Sequence, residues 1–132
     1  NDDWLVHHVI SQSVEGPGGD FSISHWSDVQ PVGDGSGAVR WRQFGQLGEE
    51  GIGFLRSMRG IERESVQPGG RSADRCETYE QVFYGIENVS VLVDADGQQP
   101  FVEGDMVHVP AGHAYHIINE GDAWMSYLIM SA

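Results

Sequence analysis

Apolar residues along this chain fall in short runs rich in Val, Ile, Phe, Trp and Tyr. Glycine clusters separate them: Gly16-Pro17-Gly18-Gly19, Gly33-Asp34-Gly35-Ser36-Gly37, Gly48-Glu49-Glu50-Gly51 and Pro68-Gly69-Gly70. Nowhere do the apolar positions recur with the spacing of a long amphipathic helix, so the pattern predicts an all-β chain. The expected strands are Val39–Phe44, Gly53–Met58, Ile61–Val66, Glu80–Ile86, Ser90–Val93, Phe101–Glu103, Met106–Val109, Tyr115–Ile118 and Trp124–Met130. Their close spacing suits a sandwich or barrel of short antiparallel strands. Asp94-Ala95-Asp96-Gly97 and Asn119-Glu120-Gly121-Asp122 read as tight connections, because Asn, Asp and Gly tolerate the positive φ of hairpin turns.

The first 38 residues read differently. Trp4–Ile10 reads as a strand or a short helix and Phe21–Trp26 as a strand, but the Gly- and Pro-rich segments around them point to an arm, residues 1–38, laid on a barrel of residues 39–132. A chain of 132 residues holds one domain with one modest core. Its 20 acidic side chains against seven arginines and no lysine give a net charge of −13, which opposes nucleic acid and anionic membrane partners. No stretch approaches the roughly 20 apolar residues of a spanning helix. The lone Cys76 excludes an internal disulfide and a multi-cysteine zinc cluster. The N-terminal residues lack the basic-then-apolar pattern of a signal peptide, so the expected location is cytoplasmic.

Two segments in the second half carry a regular spacing. Gly69 is followed after five residues by Arg75-Cys76-Glu77, after three more by Gln81 and after six more by Asn88. Gly104 is followed after five residues by Pro110-Ala111-Gly112, after two by Tyr115 and after three by Asn119. These segments resemble the two motifs of the cupin superfamily: Gly, five residues, His-x-His, three or four residues, Glu, six residues, Gly; and Gly, five residues, Pro-x-Gly, two residues, His, three residues, Asn. The resemblance implies a single jelly-roll-like cupin barrel and places a metal centre at the two His, the Glu and the last His.

All four of those positions are changed here, to Arg75, Glu77, Gln81 and Tyr115. Arginine has no lone pair to give a metal, and Gln and neutral Tyr are poor replacements for carboxylate and imidazole. No cofactor is therefore expected. A divalent metal such as Fe, Mn or Zn on relocated ligands, for instance Glu77 with His113 or His116, is the lesser alternative. If the family's register holds, the four side chains converge inside the barrel, where a charge must be compensated. One reading pairs Arg75 with Glu77 as an internal ion pair. The other makes these residues catalytic without metal, with Arg75 as an anion fork, Glu77 as general base or acid and Tyr115 as a proton or hydrogen-bond donor.

His113, in the turn of the second motif, is a further catalytic candidate, since imidazole ordinarily titrates near neutral pH. Gln81, Phe83, His108 and Trp41 are the candidate substrate-binding residues. Trp41 alternates with Arg40 and Arg42, so it faces away from both, and such a strand is also a candidate homodimer contact. Cys76 points out of the pocket by the same parity. The resemblance implies metal-independent dehydration, isomerisation or cyclisation of an oxygen-rich metabolite such as a sugar, nucleoside or polyketide. The alternatives are a metal-dependent dioxygenase or lyase and a non-catalytic small-molecule-binding cupin.

Overall fold

The structure is a computed structural model; it describes residues 20–88 and 90–132 together with Trp4, His7, residues 9–11 and Val14. Among the described residues ten strands follow one 3₁₀ turn, Trp26–Asp28: β1 Val32–Gly33, β2 Ala38–Gln46, β3 Gly53–Leu55, β4 Gly60–Val66, β5 Gln81–Glu87, β6 Ser90–Asp94, β7 Gly97–Phe101, β8 Met106–Val109, β9 Tyr115–Ile118 and β10 Met125–Ser131. They form a seven-stranded sheet in the order β1-β2-β4-β10-β5-β8, with β3 beside β2, and a three-stranded sheet in the order β7-β6-β9. Residues 71–75 extend the smaller sheet through bridges of Arg71 to Ile118 and Arg75 to Tyr115. Among the described residues no helix is long and apolar enough to cross a membrane.

The two sheets face each other over a core that includes Phe83, Leu92, Phe101, Ile117, Met125, Tyr127 and Ile129. Phe83 anchors it. Its ring stacks on Tyr127 at 5.5 Å and meets Tyr115 edge-on at 5.5 Å, while Tyr84, next along the strand, is half-buried on the opposite face. Gly85 is required where it stands. A Cβ there would lie 2.3 Å from the Val102 carbonyl oxygen, because the turn after β7 closes directly over β5.

Most expected strands are present, and the differences have local causes. Phe101–Glu103 was expected as a strand, but the strand is Gly97–Phe101 and residues 102–105 turn, with Gly104 at φ 88°. Strand β7 is polar, four-fifths exposed and contains Pro100, which a sheet edge tolerates because no donor is needed there. The expected Gly53–Met58 is shortened to three residues pairing in parallel with the end of β2. Within the first 38 residues, β1 pairs with β2, and Phe21–Trp26 forms no strand but leads into the 3₁₀ turn. Residues 5, 6 and 8 of the Trp4–Ile10 segment lie outside the described residues.

Candidate active site

Three of the four substituted positions meet inside the barrel. Arg75 and Tyr115 exchange backbone hydrogen bonds of 2.8 Å in each direction, which sets them side by side at the end of the smaller sheet. The Tyr115 hydroxyl donates to Gln81 Oε1 at 2.7 Å, and Gln81 Nε2 donates to Ser131 Oγ at 3.2 Å. Phe83 closes the group from below against the Tyr115 ring. Burial, beyond what the nearby Arg75 charge offsets, pushes the Tyr115 phenol up to about 12, so it is a neutral donor.

The charge of Arg75 is not met by Glu77. Its guanidinium grips Glu64 with two bonds of 2.6 Å, and Nη2 adds a 3.0 Å bond to Asp34. Glu64 is fully buried and also accepts from Arg40 Nε at 3.1 Å and from the Tyr127 hydroxyl. Glu62, one alternation along β4, binds Arg40 at 3.2 Å and Arg42 at 3.0 Å. Burial opposes the Arg75 charge, but the Glu64 hydrogen bonds and charge override it and its pKa is raised. Burial likewise pushes Asp34 up, and bonds from the Ala73 backbone and from Ser36, with the Arg75 charge, overcome it and hold its carboxyl at about 2.

The Arg75–Glu77 pair fails because strand parity ends at Arg75: the bridge to Tyr115 is the last rung, and residues 76–80 bend away. Glu77 is half-buried and hydrogen-bonds Tyr79, while its carbonyl accepts from the Gly112 N–H at 2.7 Å. That last bond ties the 76–80 loop to the turn carrying His113. Gly112 sits in that turn at φ 75°, where a glycine avoids the Cβ penalty.

His113 faces a different acid. Its Nε2 lies 3.0 Å from Asp94 Oδ2, and Asp94 is itself fixed by the Asp96 N–H at 2.9 Å. The His113 hydrogen bond, helped by that backbone donor, lowers the Asp94 pKa. Asp94 pairs with Tyr115 across β6 and β9, so Arg75, Tyr115 and Asp94 form one row across the smaller sheet. The dyad lines a cleft of about 480 Å³ between that sheet and strand β8. His108 stands at the rim of the same cleft, exposed, with Nε2 3.7 Å from Glu80. His116 is outside it and faces Asp74 at 3.3 Å. Trp41 lies on the far side of the larger sheet, edge-on to Trp26 at 5.1 Å, and Cys76 is exposed.

The residues at the family's metal positions do not fit a metal ion. A guanidinium fixed by two carboxylates stands at one of them, the Gln81 oxygen is occupied by a phenol, and that phenol stays protonated. Among the described residues no group of three or more His, Cys, Asp or Glu is arranged to hold one.

Glu62, Glu64, Arg40 and Asp94 are the residues that reading the sequence missed. The signal for three of them lay in Arg40-x-Arg42 and Glu62-x-Glu64, two like-charged pairs at strand spacing on facing strands. Each belongs inward with its opposite.

No family model and no curated protein matches this sequence. Solved structures do. The chain is similar to the polyketide cyclase RemF from Streptomyces resistomycificus, at TM-score 0.69 and 14% identity over 85% of this chain and 79% of that one. It is similar to a sugar phosphate isomerase of the cupin superfamily from Silicibacter pomeroyi, at TM-score 0.66 and 21% identity over 84% and 75%. It is also similar to a Cupin 2 conserved barrel domain protein from Salinispora arenicola, at TM-score 0.63 and 15% identity over 86% and 89%. The chain has the cupin fold, as the two glycine-led segments at Gly69 and Gly104 indicated.

Proposed function

We propose that this chain is a small-molecule enzyme that moves a proton without a metal, with His113 as the base, in the cleft between β8 and the smaller sheet. The observation that carries this reading is the 3.0 Å contact of His113 Nε2 with Asp94 Oδ2 beside that cleft. A carboxylate on Nε2 assigns the ring proton to that nitrogen and leaves a lone pair on Nδ1. When Nδ1 takes a proton, the Asp94 carboxylate stabilises the imidazolium that results.

The chemistry that suits such a dyad is proton abstraction from a carbon beside a carbonyl. The C–H bond breaks, its electron pair forms the enol or enolate double bond, and the proton passes to Nδ1. Returning it to the former carbonyl carbon, while the hydroxyl on the first carbon passes its proton to the enolate oxygen and becomes the new carbonyl, completes an isomerisation, and delivering it to a departing hydroxyl completes a dehydration. Attack of the enolate carbon on a second carbonyl completes a cyclisation, with the proton returned to the new alkoxide. In this reading His108, at the rim of the cleft, binds a substrate oxygen. Arg75, Tyr115, Gln81 and Phe83 act as a framework, since Arg75 is occupied by Glu64 and Asp34 and the Tyr115 hydroxyl by Gln81. Glu77 acts through its carbonyl, which holds the turn presenting His113. An oxygen-rich ketone or sugar suits this chemistry, and the polyketide cyclase and sugar phosphate isomerase among the similar structures support it.

The test is turnover of a panel of ketoses, sugar phosphates and linear polyketones by the intact protein and by His113→Gln. Loss of at least about a hundredfold in His113→Gln with unchanged circular dichroism supports the reading. Equal turnover by the two proteins contradicts it. The closed network around Arg75 favours a second reading, binding without turnover, and saturable binding of a panel member that neither protein converts would select it.

A further inference from the structure

The face of the larger sheet that looks away from the barrel interior carries a second pocket, of about 360 Å³. Three of the chain's four tryptophans line it: Trp41 from β2, Trp26 from the 3₁₀ turn and Trp124 from the β9–β10 connection. Arg63 of β4 and Glu87 of β5 share the wall. So many large rings on the outer face of a sheet are not used by the core, and Trp124 is 48% exposed.

Arg63 is the informative residue. Its guanidinium lies over the Trp26 ring, 4.5 Å from the centroid, and its side chain is 15% exposed. Its Nε is buried and has no hydrogen-bond partner among the described residues. Its Nη2 reaches Glu87 only at 3.5 Å, and Glu87 is exposed, its hydroxyl neighbour Ser126 lying closer at 3.2 Å. Nε and Nη2 form one edge of the guanidinium fork, so the under-satisfied atoms lie side by side. Burial lowers the Arg63 pKa and the Glu87 charge only partly offsets it, whereas the carboxylates around Arg40, Arg42 and Arg75 raise theirs.

A cation in this pocket meets Arg63 in front of the tryptophans, and a neutral ring leaves the Nε–Nη2 edge unsatisfied. A carboxylate spans that edge with two parallel bonds, the geometry in which guanidinium binds anions most strongly. We propose that this pocket is a second binding site, for a small monocarboxylate with a flat apolar body. The carboxylate takes the Nε–Nη2 edge of Arg63 in place of Glu87, and the body packs on Trp41 and Trp124. The net charge of −13 does not prevent this, since charges beyond about 8–10 Å are screened at physiological salt.

The experiment is calorimetric titration of the full chain with 1-naphthoate, 1-naphthamide and 1-naphthylmethylammonium. The expected result is one-to-one saturable binding of naphthoate, at least about tenfold tighter than either analogue. Arg63→Met should weaken it by a similar factor. Glu87→Gln should tighten it several-fold by removing the competing carboxylate, a gain that a misfolded variant cannot mimic. His113→Gln should leave it unchanged, which separates this pocket from the cleft. Equal affinity for acid and amide, preference for the ammonium, no saturable binding of naphthoate, or no gain in Glu87→Gln would each overturn the proposal. So would tryptophan emission that shifts with protein concentration and is unmoved by naphthoate, the mark of a second copy covering the pocket.

Discussion

Glu64 concentrates the physics of this barrel in one side chain. It is fully buried and accepts from Arg75, Arg40 and Tyr127, so its removal takes the two-bond partner from the buried Arg75 and leaves Arg75 with Asp34 alone and Arg40 with Glu62 alone. Glu64→Ala should cost about 3–5 kcal/mol in denaturant unfolding. Replacing Glu64 and Arg75 together by Met should cost far less, because apolar residues of similar volume avoid the desolvation penalty that the pair must overcome. At the cleft, Asp94→Asn should lower turnover by about a hundredfold while leaving stability nearly unchanged, since it releases the tautomer of His113 rather than a buried charge. Residues at this scale were only partly legible in the sequence. Tyr115, Gln81 and Phe83 could be grouped from the family spacing, and His113 from its turn. Glu62 and Glu64 were missed, because alternation with the apolar Ile61 suggests an acidic outer face, and the facing arginines that reverse this are 20 and 24 residues away in sequence. Asp94 read as a turn former, since its role depends on a histidine from another connection.

At the scale of elements, the bonds that matter join a turn to a strand. Asp34 sits between β1 and β2 and binds the Ala73 N–H at 2.9 Å and Arg75 at 3.0 Å, which fastens the β1–β2 connection to the 71–75 segment. Its pKa falls from 3.8 to about 2 on folding, so its contribution to stability is complete above pH 3.8 and is lost as the pH falls through 2. Asp34→Asn should therefore destabilise the protein at neutral pH and flatten the acid limb of a stability-versus-pH curve over that window. Gly85 supplies a second test. With Val102 so close, Gly85→Ala should cost about 1–3 kcal/mol or displace the 102–105 turn, as amide exchange in β5 and β8 would report. Elements with a strong apolar signature, β5 and β10, were legible in outline. Strand β7 was not, because an exposed edge strand needs no apolar face, and Glu77 was misplaced because alternation holds only while the chain remains in the ladder.

For the whole molecule, the sheet-on-sheet architecture separates three environments that the sequence interleaves residue by residue. Arginines and glutamates of β2 and β4 turn inward as a compensated network, tryptophan and Arg63 turn outward, and the seam beside β8 opens as the cleft that holds the Asp94–His113 dyad. The fold is shared with enzymes of different chemistry, so function rests on which of these environments reacts. The most direct measurement is proton exchange at carbon. A ketose or polyketone is incubated in heavy water with chelator-treated protein, and deuterium at the carbon beside the carbonyl is followed by NMR. Metal-free chemistry at His113 predicts incorporation that survives chelation and disappears in His113→Gln. Incorporation that chelation abolishes, or that His113→Gln retains in full, would contradict it.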